Sequence, residues 1–166
     1  MTDQRKYVRG RFDTANLFSY PNRDTAILQT EHGAVITTYT LDYTYVTPLK
    51  LEDKTYRRIL PAGTILAYDP STGKVVPNYT SYGFSVIGVS RWDSDLGEVG
   101  ETGVEGDRTV SVIFRGIVFE DNVWDGGTHG TVTQATKDAL VSRIDFIKTT
   151  SKHPATYYGE DTWNEY

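Results

Sequence analysis

A chain of 166 residues with a formal net charge of −5 and no cysteine fits one domain, and it excludes a disulfide scaffold, thiol chemistry and a cysteine–zinc site. A chain of this size buries roughly 70% of its unfolded surface, so a core needs no staples. The mild acidity argues against general nucleic-acid binding, and no apolar run approaches the ~18 residues of a membrane span. Met1 to Lys6 lead into no apolar signal segment, so assembly in a reducing cytoplasm is expected. Tyrosine is abundant, and with threonine and valine it favours strands over helices.

Residues 1–33 read as an extended N-terminal arm. They are polar, lack periodicity and are broken at Tyr20-Pro21-Asn22 and His32-Gly33. Their spaced apolar residues, among them Tyr7, Phe12, Phe18, Tyr20, Ile27 and Leu28, are the anchors of a segment that wants a partner surface. Fully extended, the arm reaches at most roughly 110 Å. Arg5-Lys6-Tyr7-Val8-Arg9-Gly10-Arg11-Phe12 interleaves cations with aromatics, as single-strand binders do. Docking on an acidic protein surface is the preferred reading, with nucleic acid as the alternative.

Residues 34–147 read as a β-rich core. In 34–46 the alternation of Val35, Tyr39, Leu41, Tyr43 and Tyr45 against Ile36, Thr38, Thr40, Asp42 and Thr44 predicts one long strand with a buried face. Thr47 to Arg58 reads as a polar connection. Leu60 to Pro77 then reads as strand, tight turn, strand. Pro61 marks a strand entrance, Gly63 lets the chain bend onto the sheet, and Thr64 to Tyr68 is half-buried strand. Asp69-Pro70-Ser71-Thr72-Gly73 is turn chemistry throughout.

Asn78 to Gly83 is a loop, its glycosylation-like Asn78-Tyr79-Thr80 included, and Phe84 to Ser90 is a buried strand. Asp93 to Asp107, acidic and glycine-rich, is predicted to be a loop facing solvent. Thr109 to Phe119 is a second buried strand, with Gly116 at a bulge or close backbone approach. A helix is expected over 134–147, capped by Thr133, with Ala135, Ala139, Leu140, Ile144 and Ile147 as its apolar stripe. Residues 148–166 form a C-terminal tail with Tyr157, Tyr158, Trp163 and Tyr166 among acids.

Chemistry-bearing residues form no recognisable constellation. His32, His129 and His153 lie far apart without metal-ligand spacing. Asp93-Ser94-Asp95 hints at calcium, but the EF-hand pattern fails at Gly97 and Val104. Glu120 and Asp121, read as strand residues, point to opposite faces and do not converge as glycosidase acids would. Ser85 and Ser90 sit outside any nucleophile motif, and no phosphate-binding glycine loop occurs. The residues therefore argue for no enzyme and no cofactor. Trp92, Trp124 and Trp163 are candidates for stacking on sugars.

One set of motifs carries a likeness. Leu60-Pro61-Ala62-Gly63-Thr64, then Thr72-Gly73-Lys74 and Val76-Pro77, then Ile87-Gly88-Val89, then Val112 to Phe119 through Arg115-Gly116, then Ile144-Asp145-Phe146, occur in an order that resembles the lambda-type head decoration proteins of tailed bacteriophages. The likeness covers about residues 47–147. Pro61, Gly63, Thr64, Gly73 and Gly116 are its structural positions. It implies a small β-barrel or β-clip-like core with one helix on the C-terminal side. It further implies a homotrimer on the outer surface of a virion head, clamping neighbouring major capsid proteins after expansion, with no catalysis and no membrane contact. Within that picture Arg9, Arg11, Phe12, Phe18 and Tyr20 are the candidate capsid contacts. The alternative is a β-rich carbohydrate- or nucleic-acid-binding module of a phage particle.

Overall fold

The computed structural model describes residues 27–50, 55–100 and 104–148. The fold is mainly β and is built on a closed barrel of five strands. These are β1 (Val35–Leu41), β5 (Lys74–Pro77), β4 (Ile65–Asp69), β6 (Ser85–Ser90) and β8 (Arg108–Phe119), in that order, with β1 returning to β8. A small sheet of β2 (Pro48–Lys50), β3 (Tyr56–Leu60) and β7 (Ser94–Glu98) accompanies it, as does a short hairpin of β9 (Trp124–Asp125) and β10 (Thr128–His129). One helix, α1 (Gln134–Leu140), lies among the described residues and leads into β11 (Ile144–Ile147), which runs parallel to the end of β8.

Strand alternation gives the barrel wall two apolar faces. Ile65, Val89, Ile113, Val118, Leu140 and Ile144 share one core, which also takes in Ile27. Leu41, Leu60, Leu66, Val75, Leu96 and Val112 share the other. Adjacent residues such as Ile65 and Leu66, or Val112 and Ile113, are thus buried on opposite faces. Such near-continuous apolar runs are what a strand covered on both faces requires.

β8 holds the ensemble together. Its first part pairs with β1 and β6, and its last four residues, Gly116 to Phe119, pair with β11. The change of partners needs a change in which edge each residue addresses. Gly116 supplies it. Its φ is +153°, and a Cβ there would lie 3.0 Å from Leu28 and 3.6 Å from Ala34. Before it, Ser111 offers its carbonyl to Arg91 N on the β6 side. After it, Ile117 O and Phe119 N face the other way and bond Gln29 N and Ile27 O at 2.9 Å each. The close approach anticipated at Gly116 is there.

Several expectations are corrected. The strand from residue 34 ends at Leu41, because the Asp42 carboxylate accepts from Thr44 N at 3.0 Å and starts a 3-10 turn over Tyr43–Tyr45. The polar stretch from Thr47 to Arg58 contains β2 and most of β3. Ile27 and Leu28, read as arm, pack on the first core. The helix stops at Leu140, since Ile144 to Ile147 are drawn into pairing with β8. Its buried positions are Thr136 and Leu140, whereas Ala135 and Ala139 are exposed. Thr133 is the N-cap, accepting from Thr136 N at 3.3 Å.

Candidate functional site

Three of the five structural motif residues, Pro61, Gly63 and Thr64, meet at one junction. The Pro61 carbonyl accepts from Thr64 Oγ1 at 2.7 Å, from Ser90 Oγ at 3.1 Å and from Thr64 N at 3.3 Å. Gly63 N donates to Ser90 O at 2.8 Å, and Gly63 O accepts from Trp124 N at 2.9 Å. Gly63 has φ +84°, and a Cβ there would sit 2.2 Å from the Asn122 carbonyl oxygen. Three segments distant in sequence therefore cross here, at a spacing open only to glycine. Ser90 is fully buried and its hydroxyl is bonded into this junction. Gly73 sits instead at a self-contained turn, where Asp69 Oδ1 accepts from Ser71 N and Oγ at 2.9 and 2.6 Å.

Part of the acidic stretch 93–107, Ser94 to Glu98, is folded into the sheet, which corrects the solvent-facing loop there. β7 occupies Ser94–Glu98, and Leu96 is fully buried. Its carboxylates answer cations on β3: Arg57 Nε reaches Asp95 at 3.0 Å, and Arg58 Nε reaches Glu105 at 3.4 Å. Asp107 pairs with Lys74 at 2.6 Å and accepts from Tyr43 N at 3.1 Å. Burial pushes the Asp107 carboxyl up, but the bonds from Lys74 and Tyr43 outweigh it and hold it below its ordinary value.

Glu120 and Asp121 do converge, contrary to the strand reading. Both lie at a 3-10 turn, Glu120–Asn122, and both approach Lys148 Nζ, at 3.5 and 3.6 Å. Glu120 is buried, with Lys137 Nζ at 2.9 Å and Val132 N at 3.1 Å on its Oε1. Burial raises its carboxyl, yet the Lys137 and Val132 bonds with the Lys148 charge bring it below 4.5 overall. This carboxylate pins the loop that leads to α1. His129 packs against Trp124, the rings tilted by 54° with centres 4.6 Å apart, and burial lowers its pKa against the opposing pull of Asp121. Among the described residues no three metal-ligating side chains come together.

Two surface features escaped sequence reading. Tyr45, Tyr79, Tyr82 and Phe84 form a chain of rings centred on Tyr82, with centres 5.4 to 5.9 Å apart. Only the density of tyrosine across 43–84 signals it in sequence. A cleft of about 350 Å³ is lined by His32, Arg115, Arg143 and Asp145. Arg143 there is engaged from behind: its Nη1 donates to Ile87 O at 2.7 Å, and its guanidinium lies 4.0 Å from the centre of the Phe114 ring. Exposed apolar side chains include Val35, Tyr56, Trp92, Val99 and Val141. Trp92 has the Arg91 guanidinium 4.6 Å above its ring, while Trp124 is partly buried. The proposed contacts Arg9, Arg11, Phe12, Phe18 and Tyr20, with His153 and Trp163, lie outside the described residues. No protein-family model matches the chain, and no curated protein matches it.

Proposed function

We propose that this chain is a capsid decoration, or cement, protein: a passive fastener that binds the outside of a phage head as a homotrimer and clamps neighbouring major capsid proteins. The observation that carries the reading is the use of the buried polar groups. Asp42, Asp69, Asn78, Ser90, Glu120, Asp125 and Thr136 each bond within the fold, capping turns and tying loops to the barrel. Polar chemistry placed this way gives rigidity, which a clamp requires. The exposed rings of Tyr56, Tyr82 and Trp92 supply surface for a protein partner. Repetition over a shell then multiplies weak contacts into avidity.

Because Ile27 and Leu28 belong to the core, the arm is tested by deleting residues 1–26. The truncated protein is expected to co-sediment with expanded capsids far more weakly than the full chain. Undiminished binding would remove the arm from the mechanism, and absence of capsid binding by the full chain would remove the function itself. Native mass of the isolated protein tests the trimer. The exposed Trp92 favours one second reading, a carbohydrate module, for which glycan-array binding lost in Trp92→Ala is the measurement.

A further inference from the structure

The cleft beside Gly116 is cationic. Of the charged side chains on its lining, Arg115, Arg143 and His32 stand against a single acid, Asp145. Arg143 is held by Ile87 O and the Phe114 ring. Arg115 is exposed, and among the described residues its side chain takes part in no hydrogen bond or ion pair. Glu31, next in sequence to His32, does not answer it, being paired with Arg91. Two apolar side chains flank Arg115. Val35 lies opposite it in the β1–β8 register and is 42% exposed, and Val141, on the lining, is 72% exposed. An exposed guanidinium set among exposed valines suits a peptide that carries acids next to aromatics.

The same chain carries such a peptide in Tyr157-Tyr158-Gly159-Glu160-Asp161-Thr162-Trp163. We propose that this segment docks in the cleft of its own chain, with the Glu160 and Asp161 carboxylates on Arg115 and the aromatic rings on Val35 and Val141. Charge selects the tail over the arm: residues 149–166 carry three acids against one lysine, whereas 1–26 carry five cations against three acids. Position selects it too. β11 itself supplies Asp145 to the lining, and Lys148 follows three residues later, roughly 10 Å along the strand. The twelve residues from Lys148 to Glu160 reach at most ~40 Å, and would span about 20 Å r.m.s. as an unrestrained linker. The cleft is thus well within reach. A short tether gives an effective concentration on the order of 1 mM. Exposed ion pairs are individually weak, so a contact of this kind is populated within one chain and not between chains at micromolar concentration. It stands independently of the decoration reading.

The chain has no cysteine, so Thr162→Cys places a single nitroxide label in the tail. In the isolated full-length protein at low salt, the label is expected to broaden the amide resonances of Gly33, Ser142 and Asp145 far more than those of Leu66 and Ala67 in β4. The broadening is expected to disappear in ~0.5 M salt, where the Debye length falls below about 5 Å. It is expected to be lost in Arg115→Glu and in the double variant Glu160→Gln, Asp161→Asn, and to return when Arg115→Glu is combined with Glu160→Lys and Asp161→Lys. Unchanged β4 resonances check that Arg115→Glu is folded, and the tail variants test the same contact with the barrel untouched. The proposal is overturned if the cleft amides broaden no more than those of β4, or if the broadening survives either the Arg115 or the tail variants. It is also overturned if isotope-labelled protein without the nitroxide broadens equally when mixed with nitroxide-bearing protein, which would assign the cleft to the tail of another copy.

Discussion

At the tip of the β4–β5 hairpin, neighbouring residues satisfy one another: Asp69 accepts from Ser71, and Gly73 N returns to Asp69 O at 2.9 Å. Residues 134–147 are organised differently. Thr133 caps a helix locally, but the path of the chain beyond Leu140 is decided by β8, more than twenty residues away, to which Ile144 to Ile147 add as a parallel strand. Locally determined structure tolerates local change, because the alternatives are few and the contacts are its own. Structure imposed from a distance depends on a close fit between segments, and so its failures cost more.

The steepest test of that contrast is Gly63→Ala. A Cβ would stand 2.2 Å from the Asn122 carbonyl oxygen, a backbone atom, at a φ of +84°. Strain and overpacking add, for an expected loss of about 3 kcal/mol or more in urea unfolding at unchanged m-value. Next comes Ile144→Ala. This side chain is 3% exposed in the first core, and a cavity there is expected to cost about 2–4 kcal/mol. Hydrogen exchange sharpens the result: the Gly116 amide, bonded to Arg143 O at 3.0 Å, should lose protection before the amides of β4 do.

Glu120→Gln tests a distant tie that is electrostatic. Because the folded carboxyl lies below its unfolded value, its contribution to stability is fully present above about pH 4.5 and is lost as pH falls through the folded value. The parent should therefore lose stability on acidification through that window, and the variant should show a flatter profile there. At neutral pH the variant is expected to cost about 1–2 kcal/mol, since Lys137 and Lys148 are partly exposed and rehydrate. An unchanged acid profile would show that the carboxylate is not what fixes the loop.

Legibility in the sequence follows the same division. The hairpin, β6, β8, the Thr133 cap and the special role of Gly116 were readable, because each depends on short-range alternation, turn chemistry or one residue's backbone freedom. β7 was not. Its acids read as a solvated loop because their partners, Arg57 and Arg58, lie about 40 residues upstream in a stretch that itself read as polar connection. The end of α1 was hidden for a related reason: apolar residues at 140, 144 and 147 fit a helical stripe as well as they fit a helix followed by a strand. Glu120 and Asp121 were separated by assuming a strand where the chain makes a turn. The barrel's closure through β1 and β8 carries no local signal at all.

The smallest expected effect is the one that isolates the local side of the contrast. Gly73 also has positive φ, +72°, but the nearest atom to an added Cβ is the Tyr68 hydroxyl at 3.8 Å, an ordinary contact. Gly73→Ala therefore meets only the left-handed backbone penalty, offset in part by a less flexible unfolded chain, and should cost about 1 kcal/mol. Gly73→Asn should cost less still, because asparagine tolerates that conformation. Two glycines at either end of one hairpin, similar in φ, are thus expected to differ by about 2 kcal/mol, with the distant Asn122 carbonyl as the cause. Equal losses at Gly63 and Gly73 would mean that φ alone governs both, and that the crossing of segments at Pro61 to Thr64 contributes nothing specific to the barrel.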